Sequence, residues 1–125
     1  MATEKLEIYR CPFCGGVVEV LTPGENPVCC GKEMLLMNAN TSDGATEKHV
    51  PVVEVCGNGI KVRVGSVSHP MTPEHYIAFI YVETARGGIR IDLKDKPEAE
   101  ICLCMEKPIA VYEYCNLHGL WKINL

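Results

Sequence analysis

Long apolar runs are missing from this 125-residue chain. No stretch approaches the ~20 residues that a membrane-spanning helix needs, which excludes that class of membrane protein. Basic runs are missing as well. With 12 Lys and Arg against 16 Asp and Glu, the net charge of -4 repels phosphates and argues against nucleic-acid binding. The N-terminal MATEKLEIYRC contains no apolar region of a secretory signal, so a cytoplasmic location is expected. Aromatic residues are scarce, at 6% of the chain with a single Trp. No segment carries a helical period of apolar residues, and no internal repeat is evident.

Cysteine is the abundant exception, with eight residues. In an exported chain they would indicate disulfides; without an export signal, metal ligation is the better reading. Four cysteines lie in the first 37 residues, where there is no histidine. All four histidines and the other four cysteines lie from residue 49 onward. Between these parts runs a small, polar segment from Asn38 to Thr46, a linker composition. The expected organisation is therefore a metal-bound module at 1–37, a linker leading into a site loop at 38–48, and a larger domain at 49–125.

The larger domain reads as β-structure. Val52–Val55 and Ile60–Val64 flank Gly57-Asn58-Gly59, a strong hairpin signal because Asn58-Gly59 accepts the positive φ angles of a tight turn. Ile77–Thr84 and Ile89–Leu93 flank Ala85-Arg86-Gly87-Gly88. Glu100–Met105, Ile109–Tyr114 and Leu120–Ile123 follow. About seven short strands with frequent turns predict an antiparallel β-sandwich. Thr72-Pro73-Glu74-His75 has the cap and first-turn proline of a single helical turn.

In the first part, Cys11-x-x-Cys14 presents two thiolates from one tight turn, and the adjacent Cys29-Cys30 supplies two more. A module of this size buries too little surface to fold on its core alone, so a metal cross-link is expected. Four sulfurs suit zinc or iron equally. The vicinal pair and the spacing resemble desulforedoxin, a small rubredoxin-like iron protein.

In the second part, His49, His69, His75, Cys115 and His118 form a nitrogen-rich set with one thiolate. Structural zinc rarely uses that set, and it suits a reactive iron. Three of the histidines sit beside prolines that stiffen the chain: His49 before Val50-Pro51, His69 before Pro70, and His75 after Pro73. Cys115-x-x-His118 precedes Gly119, where a sharp turn is possible. Taken singly, each histidine is as well explained by an ordinary hydrogen-bonded role; the combination carries the reading. Cys56, Cys102 and Cys104 read as small apolar residues of a core in preference to metal ligands or redox sensors, and Met34, Met37 and Met105 read as core. Trp121 either shields the site from water or fills the sandwich.

Glu47-Lys48-His49-Val50-Pro51, Ser68-His69-Pro70-Met71, Glu74-His75-Tyr76 and Cys115-Asn116-Leu117-His118-Gly119 resemble the motifs of superoxide reductase. Together with the desulforedoxin-like start, the whole chain resembles desulfoferrodoxin, the two-iron form of that family. The resemblance implies an immunoglobulin-like catalytic sandwich and two iron ions per chain. Cys11, Cys14, Cys29 and Cys30 would hold the N-terminal iron. His49, His69, His75 and His118 would lie around the catalytic iron, with Cys115 as axial thiolate and a sixth position open to superoxide. It implies reduction of superoxide to hydrogen peroxide without O₂ release, as suits an anaerobe, with electrons from a rubredoxin-type donor. It also implies a homodimer. Glu47 and Lys48 read by themselves as a solvated charge pair. The resemblance instead makes Lys48 an attractant for superoxide and a route for protons, and Glu47 a carboxylate for the sixth position of the oxidised iron. An electron carrier with two closed-shell irons and a zinc-stabilised interaction module are the other readings of the same cysteines and histidines.

Overall fold

The computed structural model describes residues 3–4, 7–43, 48–104 and 106–125, which divide into two compact units, Met1–Asn38 and Ala39–Leu125. Glu47 and Met105 lie outside the described residues.

In the first unit, β1 (Ile8–Arg10) is the centre of a three-stranded antiparallel sheet, between β2 (Val17–Glu19) and β5 (Leu35–Met37). A small ribbon pairs β3 (Val28–Cys29) with β4 (Lys32–Glu33). The buried cluster among the described residues is Tyr9, Cys11 and Met34. One of those three is itself a cysteine of the sulfur set. So small an apolar centre does not offset chain entropy, which leaves the metal cross-link to stabilise this unit.

The second unit is a sandwich of two antiparallel sheets. One has the order β10-β7-β6, from Glu98–Cys102, Gly59–Val64 and Pro51–Cys56. The other has the order β12-β11-β8-β9, from Gly119–Asn124, Pro108–Cys115, Ile77–Thr84 and Gly87–Asp92. All seven expected strands are present. The Greek-key return of β10 to the first sheet gives the immunoglobulin-like arrangement, with β9 kept on the sheet of β8. Alternation fills the space between the sheets. Ile60, Val62 and Val64 point inward from β7, while Lys61 and Arg63 do not. They meet Ile77, Ile80, Val82, Val111 and Cys115 of the facing sheet.

Several local expectations differ from the structure. The first hairpin turns on Gly57-Asn58 rather than Asn58-Gly59, with Gly57 at φ +57. A glycine in the first central position is the type II′ solution, and Gly59 becomes a strand residue pairing with both Cys56 and Cys102. Thr72–His75 forms no helix. Its ends close on each other, with Thr72 N–H donating to His75 O at 2.9 Å and His75 N–H to Thr72 O at 3.2 Å. Asn40, inside the expected linker, bridges to Trp121, and its backbone bonds to Leu120 and Lys122. Cys56, Cys102 and Cys104 are exposed, so the reading of these three as core residues is overturned. Cys102 and Cys104 face outward on either side of the buried Leu103, and Cys56 ends the exposed last half of β6. Met34 is buried and Met37 half-buried.

Candidate metal centres

The sulfur cluster is built from two turns. Cys11 follows β1, and the chain reverses so that Gly15 N–H bonds Cys11 O at 3.0 Å and Cys14 N–H points at Cys11 Sγ at 3.5 Å. Gly16 N–H approaches Cys14 Sγ at 3.4 Å. Cys29 ends β3, and Cys30 adopts φ +53, uncommon for a residue with a side chain. Two adjacent side chains normally point apart in a strand; this backbone conformation lets both sulfurs face one centre. Cys14 and Cys29 Sγ are 3.6 Å apart, and Cys29 and Cys30 Sγ 3.9 Å. All four sulfurs lie within 4.8 Å of one another. A tetrahedral ion with metal–sulfur bonds of about 2.3 Å requires sulfur edges of about 3.8 Å, so the set fits. The backbone N–H of Cys14, with a further one from Phe13, pulls the Cys11 thiol down to about 6 against the effect of burial. Hydrogen bonding with Cys14 and Cys11 pushes the Cys29 thiol up to about 12. One thiolate thus forms readily, while Cys29 and Cys30, whose thiols are held up by their sulfur neighbours, ionise more readily with a cation between the sulfurs.

The second set draws on four places in the sandwich. His49 precedes β6, and its backbone N–H, with that of Val50, donates to Asp43 Oδ1 at 2.5 and 2.9 Å. His69 and His75 lie in the loop between β7 and β8, Cys115 is the last residue of β11, and His118 lies in the β11–β12 turn. Ring centroids of 49 and 69 are 4.8 Å apart, 69 and 75 4.6 Å, 75 and 118 5.1 Å, and 118 and 49 5.0 Å. The four imidazoles therefore close a cycle in the order 49–69–75–118, each steeply inclined to the next.

Hydrogen bonds choose the nitrogens. His69 Nδ1 donates to Pro70 O at 2.8 Å, which leaves its Nε2 lone pair facing the centre. That Nε2 is 3.1 Å from His49 Nε2. Two nitrogens at right angles about 2.1 Å from one ion stand about 3 Å apart, so this pair matches adjacent ligands. His118 offers Nδ1 instead. Cys115 Sγ is 3.8 Å from His118 Nδ1 and 3.8 Å from His69 Nε2, nitrogens at opposite corners of the cycle. Equal distances to opposite corners place the sulfur midway between those two nitrogens. Cys115 is fully buried and His118 exposed, so the thiolate approaches from the core side. Four neutral nitrogens around one buried thiolate fit an iron ion.

Four supporting residues escaped the sequence reading. Asn116 brackets His75: its Oδ1 accepts from Tyr76 N–H at 2.8 Å, and its Nδ2 donates to Glu74 O at 2.9 Å. Asp43 fixes the backbone of His49. Gly65, at φ +78, packs on Lys48, where a Cβ would run into the Lys48 carbonyl. Glu113 shares the inward face of β11 with Val111 and Cys115, and neither carboxyl oxygen has a hydrogen-bond partner among the described residues. Burial, with a contribution from Asp43, pushes Glu113 up to about 9. A glycine between a strand and a histidine loop, and an Asn inside Cys-x-x-His, were the available signals; nothing local marked Glu113. Trp121 stacks on His49 at 4.7 Å and 14° and donates Nε1–H to His118 O at 3.1 Å. It packs against the site rather than filling the sandwich.

Two family models match this chain: desulfoferrodoxin over residues 41–124 and the desulfoferrodoxin N-terminal domain over residues 3–37. The desulfoferrodoxin of Syntrophotalea carbinolica is 53% identical over 122 residues, covering 95% of this chain and 96% of its own. That of Nitratidesulfovibrio vulgaris is 53% identical over 119 residues, covering 93% and 94%. The solved superoxide reductase of Treponema pallidum aligns with a TM-score of 0.80 at 35% identity, covering 96% of this chain and 98% of that one. With both sulfur-only and histidine-rich sets assembled and both models matched, the chain belongs to the desulfoferrodoxin family.

Proposed function

We propose that this protein is a superoxide reductase with two mononuclear iron centres. It reduces superoxide to hydrogen peroxide without releasing O₂. The closed cycle of four imidazoles over one buried cysteine sulfur carries this reading. The full-length likeness to desulfoferrodoxins and to the Treponema pallidum enzyme supports it.

Residues 1–37 form the desulforedoxin-like domain in this proposal, 38–48 the linker and start of the site loop, and 49–125 the catalytic sandwich. Cys11, Cys14, Cys29 and Cys30 hold one iron; His49, His69, His75, His118 and Cys115 hold the other. Bound there, ferrous iron supplies the single electron. The residues supply the rest. Cys115, held in the core, keeps its thiolate out of water and donates electron density from the buried side. His69, locked by the Pro70 carbonyl, cannot turn away. Lys48, half-buried next to His49 in the chain, attracts the anionic substrate to an otherwise acidic protein and relays protons through water. Glu47, which lies outside the described residues, is the carboxylate that approaches the oxidised centre. A rubredoxin-type donor, a homodimer and a cytoplasmic setting complete the proposal.

The test is reaction of the dithionite-reduced, iron-loaded protein with pulse-radiolytic superoxide. One peroxide formed per centre oxidised, with no O₂, is the expected result. O₂ release in the proportion of dismutation, or a colourless preparation carrying two zincs, would overturn it.

A further inference from the structure

Three cysteines stand outside both metal sets, at the far end of the sandwich from the histidines. Pro51, at the start of β6, follows His49 closely, whereas Cys56 ends that strand. Five steps of about 3.3 Å separate the two ends, roughly 17 Å. Cys56 and Cys102 both pair with Gly59 across adjacent strands. They line one open depression of about 360 Å³ together with Asn58, Ile60 and Glu100.

The chain leaves β10 at Cys102, buries Leu103 in the core and turns at Cys104 with φ +47. Leu103 N–H bonds Asn58 O at 3.0 Å, and Glu106 N–H closes the turn on Leu103 O at 2.9 Å. The fixed turn holds Cys102 Sγ and Cys104 Sγ 3.8 Å apart, both exposed. Cys104 and Cys30 are the non-glycine residues with positive φ among those described, and each sits in a pair of close sulfurs. In the N-terminal unit that conformation serves a four-sulfur set. Here only two sulfurs meet, too few for a closed tetrahedral site. A disulfide needs them to close to about 2.05 Å, within reach of side-chain rotation from 3.8 Å.

We propose that Cys102-Leu103-Cys104 is a redox-active dithiol that exchanges with disulfide substrates and closes to an intramolecular disulfide. The Cys102 thiolate, facing the open depression, attacks one sulfur of a disulfide RSSR. A mixed disulfide forms and one RS⁻ leaves. The Cys104 thiolate then attacks the Cys102 sulfur, the second RS⁻ leaves, and the Cys102–Cys104 bond is made. Two protein thiols are oxidised, one external disulfide is reduced to two thiols, and the two thiol protons pass to solvent or to the leaving thiolates. Hydrogen bonding to Cys102 and its charge raise the Cys104 thiol above its ordinary range, which keeps Cys104 in reserve as the resolving group during the first attack. Cys56, exposed and with its sulfur on Glu54 O rather than on another sulfur among the described residues, is the natural internal control.

The experiment treats the iron-loaded full chain with oxidised glutathione under argon, quenches with acid, alkylates remaining thiols and digests with a glutamate-specific protease. Cleavage after Glu100 and Glu106 releases Ile101–Glu106, which contains Cys102 and Cys104 and no other cysteine. The expected product is this peptide lighter by two hydrogens, exceeding any glutathionylated form by at least about tenfold because the resolving thiol is intramolecular. Cys56 takes up glutathione over the same period. Cys104→Ser, which leaves the iron spectra unchanged, accumulates glutathione on Cys102. The proposal is overturned if wild type keeps the mixed disulfide, if Cys102 links to Cys56, or if the pair stays reduced while Cys56 reacts.

Discussion

Replacing Asn116 by alanine isolates one outer support of the histidine cycle. The side chain makes two hydrogen bonds to the backbone on either side of His75, at 2.8 Å to Tyr76 N–H and 2.9 Å to Glu74 O. The main-chain bond from Asn116 N–H to Tyr76 O, 3.1 Å, survives the substitution. At about 1 kcal/mol net for each lost bond, some 2 kcal/mol of loop order disappears. If that order pre-positions His75, its cost moves to metal binding, where 2 kcal/mol is about 30-fold in affinity. This falls within the roughly 10- to 100-fold range for loss of an outer-shell partner. The assay titrates iron-loaded protein with a chelator and follows the thiolate–iron absorption of the histidine centre. The sulfur-only centre, on the other unit, is followed in the same spectra and should not change. Asn116→Asp, which retains an acceptor for Tyr76 N–H but loses the donor to Glu74 O, should also weaken the centre. Iron affinity within about twofold of wild type in Asn116→Ala would refute the argument. An equal loss at both centres would refute it too, since the effect would then not act through His75.

Gly65→Ala places a Cβ against the Lys48 carbonyl and forces a side chain to φ +78, a penalty of about 1–2 kcal/mol before any clash; a fall in Tm of more than about 5 °C is expected by calorimetry. For the metal-free protein, Glu113 sets a pH dependence. Its folded carboxyl, near 9, binds a proton that the unfolded one, near 4.3, has lost, so stability declines as pH rises through that window and levels off above it. Glu113→Gln removes the decline, so its unfolding free energy, from denaturant titrations, should gain on wild type between pH 5 and about pH 9 by an amount of order 3 kcal/mol at pH 7. Lys48→Ala should slow the reaction with superoxide several-fold at low ionic strength and less at high, measured by pulse radiolysis; equal rates at all salt concentrations would remove Lys48 from the mechanism. Cys14→Ser should abolish the sulfur-only iron absorption and loosen the first unit, leaving the histidine centre's spectrum intact.

Much of the sandwich was legible because its rules act over a few residues. Ile60, Val62 and Val64 alternate with Lys61 and Arg63, and such alternation needs no partner to be read. The hairpin at Gly57 was visible, though its register slipped by one, since Gly-Asn and Asn-Gly both satisfy a two-residue turn and the pairing of Gly59 decides between them. Thr72-Pro73 carried a helix start, but the loop it opens is too short and is closed by the Thr72–His75 bonds. Cys102 and Cys104 looked like core residues by composition. Leu103 between them takes the inward position and leaves both cysteines facing out, which composition does not report.

The sequence by itself determined the donor inventory and its stiffening. Cys-x-x-Cys and the vicinal pair supply four sulfurs, and Cys-x-x-His with three proline-flanked histidines supplies the nitrogen-rich set. The tertiary structure decided how those donors are used. His69 meets His49 across 20 residues and Cys115 across 46, distances that only sheet pairing spans. It set the cyclic order of the rings and gave His69 an Nε2 because the Pro70 carbonyl takes the other nitrogen. It also buried Glu113 beside Cys115. Ligand type is a property of one residue, whereas direction, order and burial belong to the elements that meet there, and those are set by the packing of two sheets on one core.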